Sequence, residues 1–353
     1  MSRRPVVSHF EFWPAWLFYL PVVVYYTWLA IRFRSVSLPS LANPSIYSGG
    51  ICRESKSQIL GLVGDSQRHR VARWAVVRLQ EGPGAPRDRV LDAMKSNGLA
   101  FPLVAKPDEG QRGDGVQLLR SFEALDKYLE TFPAEVPLVL QALADLPCEA
   151  GVLYYRLPRS AKGRILSITL KELPKVVGDG RRTLRGLILA DERARLVHQL
   201  YFRRHTARLD EVLPSGESIQ LVFSGNHCQG AIFRNGTSEA TDAMRDAFAA
   251  VADSMPEFYF GRFDVKFRDL ESLRRGEDFL IVEINGASAE STHIWDARMT
   301  LRGAYAALFE QFRILFEIGD QNRARGHKAM GGLAILRDFR QYLRQRRQYP
   351  PTS

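Results

Sequence analysis

Two runs of alternating residues, Phe258-Tyr-Phe-Gly-Arg-Phe-Asp-Val-Lys-Phe267 and Asp278-Phe-Leu-Ile-Val-Glu-Ile-Asn-Gly286, constrain this chain most. Period-two alternation marks a strand with one face to bury. In the first run Phe263, Val265 and Phe267 oppose Arg262, Asp264 and Lys266; in the second, Leu280, Val282 and Ile284 oppose Ile281, Glu283 and Asn285. If the strands pair across the connection 268–277, Asp264, Glu283 and Asn285 converge on one side of the sheet. Three oxygen donors so placed suit a hard cation, Mg²⁺ above all, shared with phosphate oxygens. The same pattern would also serve as the polar outer face of an ordinary antiparallel hairpin.

A second pattern lies upstream. Phe101-Pro-Leu-Val-Ala-Lys106 reads as a short strand ending in a lysine, and Pro107-Asp-Glu-Gly110-Gln-Arg-Gly113-Asp-Gly115-Val116 follows directly. Glycines at 110, 113 and 115 let backbone amides close around phosphate oxygens, with Lys106 as a point charge for them. In this order, about 150 residues apart, the two patterns resemble the ATP-grasp superfamily, its D-alanine–D-alanine ligase-like, carboxylate–amine ligase branch in particular. The matching pieces are Val104–Val116, Leu140–Arg156, Leu170–Leu184, Gly261–Phe267 and Val282–Ser288, within Asp88–Ile318.

The resemblance implies an α/β (α+β) ATP-grasp fold, two α/β subdomains clasping ATP, here preceded by one hydrophobic helix. It implies Lys106, Gly110, Gly113 and Gly115 on the phosphates, Gln141 and Leu143 near the adenine, Glu149 on the ribose hydroxyls, and Lys171 reaching the phosphates from the opposite side. Asp264, Glu283 and Asn285 would hold Mg²⁺, two ions by the resemblance, with Mn²⁺ as a possible substitute. Arg262, on the same face, could stabilise a developing oxyanion. The implied reaction joins a carboxylate to an amine through an acylphosphate, on small-molecule or peptide substrates. Alternatives are a kinase that phosphorylates a hydroxyl and a membrane-tethered nucleotide-binding scaffold. The loop Gly286-Ala-Ser-Ala-Glu-Ser-Thr292 departs from the Ser-Pro-Gly continuation usual in the ligases, at the place where their substrate carboxylates dock.

The formal charge of +10 does not mark a nucleic-acid binder, because it sits at the ends. Residues 320–353 carry eight Arg or Lys against two Asp, and residues 1–34 four Arg against Glu11. Between Trp13 and Ile31 run 19 residues without a charge, with aromatics at both ends. They read as a spanning helix kinked at Pro21, a re-entrant or in-plane anchor, or a buried helix. A membrane-associated, single-pass protein with a cytoplasmic catalytic domain follows from the first reading. The expected divisions are an anchor helix at 1–34, a linker and small pre-domain segment at 35–87, an ATP-grasp domain at 88–319 and a basic amphipathic tail at 320–353 that also meets lipid. Few core contacts should then cross residue 34, and removal of residues 1–34 should leave a soluble domain. Gly82-Pro-Gly84 punctuates the pre-domain, Gly319 should end the helix from Arg302, and Ser55, Lys56 and His227 are open candidates for substrate contact. Cys52, Cys148 and Cys228, odd in number and far apart, suggest no disulfide framework.

Overall fold

The computed structural model describes residues 7–81, 84–111, 113–350 and 352; Gly82, Pro83 and the side chain of Cys228 lie outside the described residues. The first half of the chain forms α1 (Ala15–Arg32), α2 (Lys56–Gly61), β1 (Trp74–Val77), α3 (Pro86–Ser96), β2 (Leu103–Pro107), β3 (Gln117–Leu119), α4 (Phe122–Thr131), β4 (Leu138–Ala142), β5 (Cys148–Tyr155) and β6 (Arg164–Glu172). There follow β7 (Lys175–Val177), α5 (Leu184–Ala190), α6 (His198–Arg204), β8 (Ser218–Gln220), β9 (Ile232–Asn235), α7 (Asp242–Ser254), β10 (Phe260–Phe267), α8 (Leu270–Arg274), β11 (Phe279–Asn285), α9 (Leu301–Ala324) and α10 (Gly332–Gln345). Side-chain caps start several helices: the hydroxyls of Ser121, Thr183 and Thr241 accept from Ala124, Gly186 and Met244 at the heads of α4, α5 and α7.

Two antiparallel sheets face the functional residues. The smaller runs β1-β4-β2-β3, the larger β11-β10-β5-β6-β9, and β7 pairs with β8 in a separate lobe. This is the mixed α/β class expected. Strand β1, in the segment expected to precede the main domain, pairs with β4 and so belongs to the small sheet. The boundary at 87 therefore cuts through one hydrophobic core, in which Ala75 and Val77 pack with Val90, Leu103, Leu125 and Leu140.

The larger sheet buries one face against α7 and α2, through Phe263, Val265, Phe267, Ile281 and Ile284 on Phe248, Val251, Ile59 and Leu60. Here the simple alternation expected for the second strand fails. Asp264 pairs with Glu283 but Val265 with Ile281, so Val282 is the extra residue of a β-bulge. The bulge changes phase, sending Ile281 into the core while Glu283 stays opposite Asp264.

The N-terminal segment is not separable from this body. Phe10, Phe18 and Val22 pack with Ile294, Ala304 and Leu308, and Leu29 packs with Leu38 and Phe316. Phe18 stacks on Tyr305 and Tyr25 on Phe309, along α9. The other flank of α1 is bare: Trp16 and Ile31 are each 73% exposed, with Leu20, Val23 and Val24 beside them. Helix α9 also runs through Gly319 to Ala324, because the missing Cβ there admits the backbone of Leu38 and does not cap the helix. Buried Asn43 ties segment 43–49 to the head of β10: its Oδ1 accepts from Tyr259 and Phe260 amides at 2.8 and 3.0 Å, and its Nδ2 donates to the Gly49 and Phe260 carbonyls.

The expectation for a chain lacking residues 1–34 is thereby reversed. Four large side chains leave the core, at about 1.5–3 kcal/mol each, against a typical total stability of about 5–15 kcal/mol. Residues 35–353 alone should lose cooperative thermal unfolding in calorimetry or aggregate; an unfolding midpoint within a few degrees of the full chain would show that the α1–α9 contact is dispensable.

Candidate active site

On the small-sheet side, β2 delivers Lys106 into the space between the sheets. Its Nζ donates to Gln141 Oε1 at 2.9 Å and, across to the large sheet, to the Val282 carbonyl at 3.1 Å. The bulge turns that carbonyl toward the lysine. Burial pushes the Lys106 ammonium down to about 8, against the pull of Glu283. Gln141 is 2% exposed and its Nε2 has no partner among the described residues, a buried donor awaiting an acceptor. Leu143 lies half-buried just past the end of β4. Gly113 and Gly115 have φ of +77° and +70°, so the loop turns as only glycine does readily. Lys56 reaches the same loop, donating to the Gly110 carbonyl at 2.6 Å.

The large sheet supplies a ladder of charge. Glu149 stands directly opposite Lys171 on β6 and Lys266 on β10, and its two oxygens take one lysine each, at 3.0 and 2.9 Å. Burial would raise this carboxyl, but the two lysines outweigh it and hold it low. Its Oε2 also accepts from the Gly225 amide at 3.0 Å. Glu149 thus meets three protein donors and ties the 224–230 loop to the sheet; the ribose contact implied by the resemblance stays an expectation. Lys171 is likewise bound, to Asp264 at 2.9 Å as well as to Glu149. Arg262 forks onto Asp264, two residues along the same strand, at 2.9 and 3.1 Å. Burial would raise Asp264 too, yet Arg262 and Lys171 hold its carboxyl well below the usual carboxylate range.

The three expected cation donors are brought together. Asn285 donates to Asp264 Oδ2 at 3.1 Å, and Glu283 is paired with Asp264 in the strand register. The chemistry of this set fits a hard cation: two carboxylates and an amide on one face, with the Glu283 side chain 32% exposed and its nearest cation, Lys56, 3.8 Å away. Among the described residues no cluster of three or more His, Cys, Asp or Glu forms a metal site; a set completed by Asn285 and by ligand oxygens is of another kind.

Several residues here were not legible in the sequence. Glu54, pushed up by burial, accepts from the Gly286 amide and the Ser288 hydroxyl, both at 2.6 Å, and so shapes the departing loop. Glu11 lies 2.7 Å from His227 and pairs with Arg193, and His227 stacks on Trp295, so this histidine braces the N-terminal segment. Tyr19, on α1, donates to Glu290 at 2.6 Å. Only alternation within a segment was available to find them, and none of these pairs is local.

Searched as a sequence, the chain matches no family model and no curated protein. Compared as a structure, it resembles a bifunctional glutathione synthetase from Pasteurella multocida at TM-score 0.34 and 17% identity, over 75% of this chain and 38% of that one. It resembles VanG D-Ala:D-Ser ligase from Enterococcus faecalis at 0.43 and 12%, over 77% and 64%. It also resembles D-alanine–D-alanine ligase from Bacillus anthracis at 0.42 and 14%, over 80% and 72%. The chain therefore spans under two thirds of the first two.

Proposed function

We propose that this protein is an ATP- and Mg²⁺-dependent ligase that joins a carboxylate to an amine. The observation that carries the reading is the convergence, on facing sheets, of Lys106 with Gln141, whose Nε2 has no partner among the described residues, and of the Asp264–Glu283–Asn285 set. A triphosphate between them would meet ammonium groups on one side and cation donors on the other. In the reaction a substrate carboxylate oxygen attacks the γ-phosphorus and ADP leaves; the amine then attacks the acyl carbon, phosphate leaves and the amine gives up a proton. Bound Mg²⁺ supplies charge neutralisation on the phosphate oxygens. The chain's own part is positional. Asp264, held ionised by Arg262 and Lys171, and Glu283 with Asn285 keep their donors on one face, and Lys56 and Lys106 flank the glycine-rich loop. Arg262 keeps its Nη1 toward the 286–292 loop, 3.5 Å from the Glu290 carbonyl, where an oxyanion would form. Transfer to a hydroxyl, the kinase reading, uses the same nucleotide site; the product decides, an amide or a phosphate ester.

Helix α1 carries a bare apolar flank on the same body as this chemistry. Its inner flank is held on α9, so its bare apolar flank can seat in a bilayer interface without disturbing the fold, whereas a crossing helix would shed those contacts. We therefore infer an in-plane anchor, with Arg32 and Arg34 at its end near anionic headgroups. Full-length protein should float with anionic vesicles, lose this on W16E/V24E/I31E substitution, and come off membranes in carbonate. Retention through carbonate would instead establish the spanning helix.

Substituting Glu283→Gln should lower ADP release about 100-fold or more with the circular dichroism spectrum unchanged, since an amide is a poor Mg²⁺ ligand. Turnover at the wild-type rate in the folded variant rules out the metal assignment.

The depressed Lys106 gives a signed pH dependence. Its ammonium is charged below about 8 and lost above, so kcat/KM for ATP should fall on the alkaline side, to about a tenth of its plateau one pH unit above the midpoint. Lys106→Arg should flatten that limb even if the plateau drops; an unaltered limb assigns the titration to another group.

A further inference from the structure

The basic C-terminal stretch, expected to meet solvent or lipid, folds back onto the glycine-rich loop. Helix α10 exposes Leu333, Leu336, Phe339 and Leu343 but turns Asp338 and Tyr342 inward. The Tyr342 hydroxyl accepts from the Gln111 amide at 3.0 Å. Tyr349 donates through its hydroxyl to the Glu109 carbonyl at 2.6 Å, and Thr352 to the Gly113 carbonyl at 2.7 Å. Arg346 pairs with Asp114 at 3.0 Å. The Tyr349 ring packs at the edge of the small-sheet core, and its Cβ closes against Gly115. On the far side, the Thr352 carbonyl accepts from Arg204 of α6 at 3.4 Å, linking this stretch to the β7–β8 lobe.

Four side chains from one short stretch thus grip the loop at residues 109, 111, 113 and 114. A loop with glycines at 110, 113 and 115 has unusual backbone freedom, which binding must remove. Removing it beforehand improves affinity without any new contact to the ligand. We propose that Tyr342, Arg346, Tyr349 and Thr352 form a strap that pre-sets the phosphate loop and are positioning residues for nucleotide. The inference rests on the reading of that loop as phosphate-binding. Both phenols meet the loop backbone through their hydroxyls, so a phenylalanine in their place keeps the ring and removes the hydroxyl that grips the loop.

The test uses full-length Tyr342→Phe/Tyr349→Phe, with Thr352→Ala as a milder variant less prone to disturb the fold. Amide hydrogen exchange is followed without nucleotide, alongside kcat and KM for MgATP. Exchange should quicken in peptides covering 109–115 and stay as in wild type elsewhere, while KM for ATP rises about tenfold in the double variant and kcat stays within about twofold. Unchanged exchange at 109–115 overturns the strap, and this arm holds even if the wild-type protein binds no ATP and the ligase reading fails. Quickened exchange with ATP bound equally well or more tightly overturns the positioning role and makes the stretch a barrier to nucleotide instead.

Discussion

The bulge at Val282 is the constraint on which the site depends. Without it, strict alternation in β11 would put Ile281 on the polar face with Glu283 and Asn285, and turn Leu280 and Val282 to the core with Ile284. With it, Ile281 and Ile284 both reach the Phe248 side of the sheet, while Glu283 keeps its place opposite Asp264. The same residue turns its carbonyl to Lys106. One inserted residue therefore joins three requirements: a filled core, a face of oxygen donors, and a link between the sheets.

That link is a buried lysine with two neutral acceptors, and it sets the character of the cleft. Lys106 is held by an amide and a backbone carbonyl and not by a carboxylate, so its charge is poorly compensated where it stands. Asp264 carries two cations on one carboxylate, so positive charge is in excess there as well, while Glu283 keeps a partly exposed carboxylate 3.8 Å from Lys56. A ligand carrying several negative charges would relieve the excess on both sheets, and a cation brought with it would find Glu283 the least committed oxygen donor. That balance is the physical content of the ligase proposal.

How much of this was legible follows the range of the interactions. The strands 260–267 and 279–285, the caps at Ser121 and Thr183, and the shared face of Asp264, Glu283 and Asn285 are all local, and alternation or spacing reveals them. The bulge escaped because a single inserted residue leaves the hydrophobic pattern nearly intact. The lysine partners of Glu149 escaped because they belong to strands 22 and 117 positions away, and which strands are neighbours is not written in either. The apolar run at 13–31 was recognised, but composition cannot say that α9 would cover one flank. Asn43 and the fold-back of residues 342–352 gave no local pattern at all.

Glu149, with a lysine directly opposite on each side, has a consequence for how the large sheet assembles. Successive residues of a strand point to opposite faces, so a slip of one position in either pairing would carry a lysine to the other face and strand the carboxylate in the interior. A slip of two would set Glu149 beside Thr169 or Leu173 on one side and beside Asp264 or Arg268 on the other. Three strands far apart in sequence are thereby checked at one point: of these misalignments only the one that brings Arg268 alongside gives the buried carboxylate a new cation.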